Sequence, residues 1–280
     1  MDRTAIALGT FDGVHSGHRA VIGSAVKSGF KAVAVTFKTP PKAFFDKSIG
    51  LLMSPDEKKE RLQELGISET LFMDFLEFKE MSAEDFLKFL TDKFSVSQIC
   101  CGFNYRFGNC GKGDTALLEE FCNKNGIVLT IIPPVLWEEK QISSTFIREM
   151  LKNGEIKKAN KLLCCPFGFT GEIIHGDARG RTIGFPTVNQ RYPEYLTKVK
   201  FGVYKSVITV EGKKYKAITN IGVRPTYETE YVSAETHIID FSGNIYGKKA
   251  NLQLLEFLRE EKKFDSLDEL KNAIEQDIIK

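Results

Sequence analysis

No apolar run in the 280-residue sequence reaches the roughly 18 residues that a membrane-spanning helix needs. The N-terminus passes from Met1-Asp2-Arg3-Thr4 straight into a strand-like stretch, without the apolar segment of a signal peptide. A cytoplasmic protein with no membrane partner is therefore expected. Charge of one sign is missing too: 39 Lys and Arg stand against 37 Asp and Glu. Divided near residue 155, the chain carries 19 basic and 21 acidic residues before the division and 20 and 16 after it. This balance excludes a protein that coats nucleic acid by neutralising phosphates and suits a small anionic ligand better. The six cysteines offer no C-x2-4-C spacing: Cys100-Cys101 and Cys164-Cys165 are adjacent, Cys110 and Cys122 stand alone, and the four histidines lie elsewhere. Neither structural zinc nor disulfides are expected, and Cys100 and Cys101, in an apolar run, read as small hydrophobes. The phosphate-loop pattern G-x-x-x-x-G-K-[ST] is absent, as is any internal repeat.

What is present reads as ordinary globular protein, with 42% hydrophobic and 27% charged residues, values that exclude a disordered or collagen-like chain. The length is nearly twice that of a typical domain, so two domains are expected. From residue 4 to residue 132, strand-like runs (4–9, 31–37, 70–74, 98–103, 127–132) alternate with helical ones (17–28, 57–65, 82–93, 115–124). Ser54-Pro55-Asp56-Glu57 is a capping box with proline at the first helical position. This alternation predicts an α/β domain with a doubly wound parallel sheet, whose ligands bind beyond the C-terminal strand ends. Residues 145–163 read as helical, broken at Asn153-Gly154. Past Pro166 come short strand-like runs (167–174, 202–210, 215–221, 234–241, 250–255), a tight turn at Glu211-Gly212 and a capped helix over 266–279. That pattern predicts a small antiparallel β-barrel with a terminal helix. The domains are placed at 1–155 and 165–280.

The first dense constellation is Gly9-Thr-Phe11-Asp12-Gly13-Val-His15-Ser-Gly17-His18, which leaves the first strand and enters the first helix. Glycines here let backbone approach a ligand closely, and a helix N-terminus offers free N–H groups to an anion. Two of the four histidines, three apart at that helix start, make a donor site suited to nucleotide phosphates; the bland alternative is a pair of capping side chains. Ser143, Ser144 and Thr145 begin a later helix with Arg148 one turn on, which is either a phosphate cradle or a plain N-cap. In the second domain, Pro186 fixes the backbone so that Thr187 and Asn189, two apart in an extended segment, point the same way. Neutral oxygens of this kind suit magnesium held largely by nucleotide phosphates, or the segment is a turn leading into an edge strand.

The motifs G-x-F-D-G-V-H-x-G-H at 9–18, Cys101-Gly-Phe-Asn104-Tyr-Arg-Phe-Gly108 and Ile142-Ser-Ser-Thr-Phe-Ile-Arg148 resemble the nucleotidyltransferase half of prokaryotic FAD synthetases. Gly171 to Asn189, ending Gly184-Phe-Pro-Thr-Val-Asn189, resembles the riboflavin kinase signature. So do Asn220-Ile-Gly-Val-Arg-Pro-Thr226, Ala234-Glu235-Thr-His-Ile-Ile-Asp-Phe241, Asn244-Ile-Tyr-Gly247 and Leu258-Arg-Glu-Glu-Lys-Lys-Phe264. The whole chain thus resembles the prokaryotic bifunctional riboflavin kinase/FAD synthetase (FMN adenylyltransferase) family. The resemblance implies phosphorylation of riboflavin by ATP to FMN in the barrel, and transfer of AMP from ATP to the FMN phosphate in the first domain, giving FAD. It implies that His15 and His18 stabilise the transferring phosphate, with Gly9, Phe11, Asp12, Gly13, Asn104, Ser143, Ser144, Thr145 and Arg148 holding that ATP. It further implies Glu235 as general base of the kinase, Gly184, Pro186, Thr187 and Asn189 at its ATP, Thr187 and Asn189 toward Mg2+, and Arg224 and Arg259 at flavin or in surface ion pairs. His175 and His237 are read as structural. One departure stands out: where many relatives have T-F-x-P-H-P, this chain has Thr36-Phe-Lys-Thr-Pro40-Pro41, with Pro40 at the histidine position. Two rivals follow: a kinase with a degraded adenylyltransferase domain, and a non-catalytic flavin-binding protein.

Overall fold

The computed structural model describes residues 3–175, 184–225 and 230–279. Residues 176–183 of the kinase-like signature and Thr226 of the Asn220–Thr226 motif lie outside the described residues. The chain divides into two compact units, Met1–Phe146 and Ile147–Lys280.

In the first unit, β1 (Thr4–Leu8), β2 (Lys31–Phe37), β3 (Glu69–Met73), β4 (Val96–Gly102) and β5 (Val128–Ile132) form a parallel sheet in the order β3-β2-β1-β4-β5. The central strands are buried on both faces, and alternate residues serve different cores. Ile6, Leu8, Val33, Val35, Ile99 and Cys101 pack with α5 (Ala83–Lys93) and α6 (Thr115–Asn125). Ala5, Ala7, Ala34 and Cys100 pack on the other side with α1 (Ser16–Lys27) and α3 (Pro55–Glu64). The adjacent cysteines are thus divided between two cores, and burial pushes Cys101 up to about 12 and keeps it an inert thiol. The capping box of α3 forms in both directions: Glu57 N donates to Ser54 Oγ at 3.2 Å, and Ser54 N to Glu57 Oε2 at 2.9 Å. Two short helices, α2 (Lys42–Phe45) and α4 (Phe75–Phe78), follow β2 and β3, and β6 (Leu136–Trp137) pairs with β7 (Lys140–Gln141). None of these three features is expected from periodicity, because each is shorter than the window that reveals a period.

The second unit takes most of α7 (Ser144–Lys152), then α8 (Ile156–Leu163), separated from α7 by Gly154 at φ 80°. Asn160 ties α8 to the sheet, donating to Leu254 O at 2.8 Å and accepting from Phe167 N at 2.7 Å. The sheet itself is antiparallel. Its strands are β8 (Phe167–Glu172), β9 (Thr187–Arg191), β10 (Gly202–Val210), β11 (Lys213–Pro225), β12 (Glu230–Ile238) and β13 (Lys249–Arg259), in the order β8-β13-β10-β11-β12-β9. The outermost strands meet where Ile174 N donates to Asn189 O at 2.8 Å, and Gln190 Nε2 bonds both Gly171 O and Ala250 O. The sheet therefore curls into a small barrel that α9 (Leu267–Ile279) follows in the chain. Its inward positions are mostly apolar (Phe169, Tyr204, Ile208, Ile221, Leu252), crossed by one ladder of hydroxyls, Ser206–Thr219–Thr236, with contacts of 2.8 and 2.9 Å. Strand β11 runs on to Pro225 and β12 begins at Glu230, past the 215–221 and 234–241 limits that the sequence pattern indicates.

Candidate functional sites

In the first unit the chain leaves β1 into a loop of unusual conformation. Phe11, Gly13 and Val14 lie at φ 46°, 84° and 41°, and two of them are not glycine. Left-handed non-glycine residues cost about 1–3 kcal/mol each and persist only where surroundings over-determine them. Several bonds do so. Asp12 Oδ1 accepts from Leu52 N at 3.0 Å, and Asp12 O from Ser144 Oγ at 3.0 Å. Thr10 O accepts from Thr36 Oγ1 at 2.8 Å and from Lys58 Nζ at 3.0 Å.

The loop delivers His15 as the N-cap of α1, its Nδ1 accepting from His18 N at 3.3 Å. The two imidazoles stack with centroids 3.6 Å apart, and His18 meets Phe11 edge-on at 5.4 Å. A Cβ at Gly17 would stand 3.2 Å from the His15 ring, a tight contact that the ring would have to ease by a few tenths of an ångström. Ser16 Oγ and His18 Nδ1 are buried without a hydrogen-bond partner in the protein. Two unsatisfied polar atoms at one helix start are what a polar ligand would complete. Burial, the His15 ring and Lys58 together hold His18 well below the usual imidazole pKa, so it is neutral at pH 7.

Lys58 is a site residue that sequence reasoning misses. It is 1% exposed, and its Nζ lies 2.7 Å from Phe37 O, 3.0 Å from Thr10 O and 3.4 Å from Lys38 O. Burial pushes its pKa down to about 8, against the opposing pull of Asp12. A lysine on a polar helix ordinarily reads as solvated, and no period marks this one as inward-facing. The remaining expected residues are more dispersed. Ser143 caps α7, accepting from Phe146 N at 3.2 Å, while Thr145 is exposed on the same turn and Arg148 follows one turn along the helix. Asn104 is exposed in the loop after β4, which is no slack segment: Phe107 and Gly113 exchange backbone bonds of 3.1 and 2.9 Å. At the position of the family histidine, Pro40 is buried, its carbonyl accepting from Ala43 N at 2.9 Å.

In the second unit, strand alternation assembles a polar patch on the outside of the barrel. Gln190, Ala234, Thr236, Thr219 and Ile221 face inward and are buried, so Asn189, Glu235 and Asn220 face outward. These three are direct cross-strand partners in one row, with Thr187 opposite His237 beside them. Arg224 NH1 donates to Asn189 Oδ1 at 3.0 Å and lies 3.5 Å from Glu235 Oε1. His237 Nδ1 donates to Pro186 O at 3.0 Å, fixing the backbone just before Thr187. Gly184 takes φ 87° with open space around it. Asn220 Nδ2 donates to Glu261 at 2.9 Å, while Asn220 Oδ1 is buried without a partner in the protein. Asn220, Glu261 and His237 are missed by sequence reasoning about function; only the i, i+2 spacing of Glu235 and His237 hints at a shared face.

Arg259 is placed elsewhere than with Arg224. Its Nε and NH2 both hold Asp277 Oδ2 at 2.9 Å, joining β13 to α9. His175, exposed, stacks on Tyr246 with centroids 3.8 Å apart.

Residues 1–146 match the family model described as FAD synthetase, and residues 163–280 the one described as riboflavin kinase. The chain is 34% identical to a bifunctional riboflavin kinase/FMN adenylyltransferase of Listeria monocytogenes, over 97% of its length and 89% of the relative's. It is 33% identical to the Bacillus subtilis protein of that name (98% and 90%) and 34% to that of Escherichia coli K12 (97% and 90%). A crystal structure from Streptococcus pneumoniae, described as a macrolide-efflux protein, shares the fold with a TM-score of 0.91 and 31% identity over 99% of this chain and 92% of that one. No helix among the described residues is long and apolar enough to cross a membrane. The orderly motifs, the two units and these likenesses lead to one statement: the chain belongs to the bifunctional riboflavin kinase/FMN adenylyltransferase family.

Proposed function

We propose that the chain makes FAD from riboflavin in two ATP-dependent steps, kinase in 165–280 and adenylyl transfer in 1–155, in a cytoplasmic compartment that leaves its thiols free. The observation that carries the reading is the row Asn189–Glu235, bridged by Arg224, on the open face of the barrel. A carboxylate that is 38% exposed beside neutral oxygen donors can meet a hydroxyl and a nucleotide together.

In the kinase step Glu235 takes the proton of the riboflavin 5′-hydroxyl as its oxygen attacks the γ-phosphorus of ATP; ADP leaves and FMN forms. Thr187 and Asn189 hold the nucleotide, and Arg224 fixes Asn189 relative to Glu235. The donors here are all oxygens, as a hard cation prefers, and no group of three His, Cys, Asp or Glu among the described residues forms a protein cage. Thr187, and Asn189 through the oxygen lone pair not used by Arg224, would hold Mg2+ carried in on ATP, which would supply neutralisation of phosphate charge. In the adenylyl step the FMN phosphate is already an anion, so no protein base is needed. Its oxygen attacks the α-phosphorus of ATP, and pyrophosphate leaves. His15, His18 and the free N–H groups at the start of α1 stabilise charge there, with Ser144 and Arg148 on α7 contributing to phosphate binding.

Pro40 favours a second reading, a kinase with a silent first unit, because an imidazole present in many relatives is replaced by a buried proline. Chromatography of products from riboflavin, ATP and magnesium over time separates the two. FMN appearing first and FAD later supports the bifunctional reading; FMN accumulating without FAD supports the kinase alone; neither product refutes both.

A further inference from the structure

We propose that Lys58 is a positioning residue for adenylyl transfer: its buried ammonium sets the loop that presents His15 and His18, and supplies a fixed positive charge beneath the triphosphate. The inference deepens the adenylyltransferase reading of the first unit and rests on it.

The geometry begins with the three N–H bonds of the ammonium and the three carbonyl oxygens facing it, those of Phe37, Thr10 and Lys38. All three carbonyls lie at the C-terminal ends of β1 and β2, the end of a parallel sheet where ligands bind. Thr10 O is held twice, by Lys58 Nζ and by Thr36 Oγ1, and it immediately precedes Phe11, the first left-handed residue of the loop. Fixing that carbonyl fixes the peptide plane from which the loop departs. The same ammonium gathers Phe37 and Lys38, where the chain leaves β2 for the Thr39-Pro40-Pro41 segment, so a single atom couples both segments bordering the site.

The choice of a cation is informative. A tie between carbonyls needs only donors, and a buried charge is an expensive donor unless its field has a use. The charged and titratable groups coupled to it are Asp12 of the loop and the His18 imidazole of α1. Asp12 offsets the charge in part while accepting from Leu52 N. The field of Lys58 reaches His18 and disfavours a proton there. A positive potential at His18 is the potential an incoming polyphosphate anion meets. Positioning and charge therefore act through His18, and the structure assigns Lys58 to both.

Lys58→Met in the full chain tests this, with four readouts: FAD from FMN and ATP, FMN from riboflavin and ATP, urea unfolding followed by Trp137, and the NMR titration of His18. Trp137 is the single tryptophan and lies in the first unit. The expected result is a fall in kcat/KM for ATP in FAD formation on the order of 10²-fold, with kinase activity within twofold. The His18 titration should move upward, and Lys58→Arg, which restores the charge, should recover most of the loss. A folded Lys58→Met protein with unchanged FAD formation overturns the proposal. So does a loss of rate with the His18 titration unmoved, which marks a purely structural tie. If Lys58→Met abolishes the Trp137 transition, Lys58→Gln carries the same test, since it keeps N–H donors and removes the charge. Wild-type protein that makes no FAD at all would sink the adenylyltransferase reading itself, a result distinguishable from both.

Discussion

Gly9→Ala is the sharpest small perturbation the first unit offers. Gly9 follows β1, and its φ is not in the left-handed region, so alanine meets no backbone objection there. What alanine meets is the Phe11 ring: the new Cβ would stand 2.7 Å from Cε1, 3.0 Å from Cζ and 3.1 Å from Cδ1. Comfortable carbon contacts lie at about 3.5–4.0 Å, so the ring must retreat by nearly 1 Å. It has little room, being fully buried among Val14, Val21 and Ile22. Overpacking of this kind costs about 1–3 kcal/mol. For a unit of this size that is roughly 2–4 °C in Tm per kcal/mol. The functional effect should be larger than the stability effect, because Phe11 meets His18 edge-on and a 1 Å misplacement costs on the order of 10²-fold in rate. The assay is the ratio of FAD formed from FMN to FMN formed from riboflavin on one preparation, with Trp137 fluorescence recording unfolding of the first unit. The ratio should drop at least tenfold while the kinase rate holds. An unchanged ratio with a lowered Tm would show that Phe11 and His18 lie away from the chemistry. No change in either would show that the loop yields freely, contrary to its dense hydrogen bonding.

Glu235→Gln should abolish FMN formation and spare FAD formation from supplied FMN; loss of both in folded protein would refute one reaction per unit. Acid should destabilise the first unit through His18. The folded imidazole resists a proton that the unfolded chain accepts near its model value of 6.5, so the unfolded state binds more protons as pH falls. Stability is lost below that pH, by at most about 1.4 kcal/mol per pH unit from this group. His18→Ala should flatten the slope of the Trp137-detected urea midpoint between pH 7 and pH 5.5; equal slopes would refute the linkage. Arg259→Ala removes the two 2.9 Å contacts to Asp277 that join β13 to α9. Amide exchange over 267–279 should accelerate while FAD formation from FMN is untouched; unchanged protection would show that other contacts hold α9.

Much of this fold is legible in the sequence. The strand–helix alternation, the α3 capping box and the Glu211-Gly212 turn are local signals, and each forms where its chemistry requires. The α9 helix and the glycine stop after α6 are local too. Other elements carry no local mark. The β6–β7 hairpin turns through Glu138 and Glu139 at φ 47° and 67°, positions that Asn-Gly would announce and two glutamates hide. Strand β9 is held by β12, some 45 residues away, so its extent depends on a partner and not on its own sequence. The site residues divide on the same line. His15, His18, Asp12 and Ser144 lie near one another because they are short-range or bound to one loop. Lys58 and Asn220 were not legible. Lys58 is inward only because three strand-end carbonyls await it, and Asn220 matters only because antiparallel register sets it opposite Glu235.

The two sites differ in a way that follows from what each proposed reaction asks of a protein. A phosphate monoester attacking ATP brings its own negative charge, so the first site has to gather and orient anions. In the proposed reading the His18 imidazole, the helix-start N–H groups and a buried ammonium would do that, and all can be sequestered at strand ends where the backbone is rigid. A hydroxyl brings a proton that must leave as it attacks, so the second site needs a carboxylate free to reach the substrate. That requirement conflicts with burial. Glu235 accordingly sits half open on the barrel's outer face, while the parts that must not move, Asn189 at 3% exposure and the Arg224 that grips it, are packed down beside it. Arg224 is then the residue on which the second site turns. Its removal would free Asn189 and Glu235 from each other at once, so Arg224→Lys, with one compact ammonium in place of a fork, should fail to substitute. The kinase rate of that variant should fall well below that of wild type while FAD formation from FMN persists, and a fully active Arg224→Lys protein would show that the bridge is incidental.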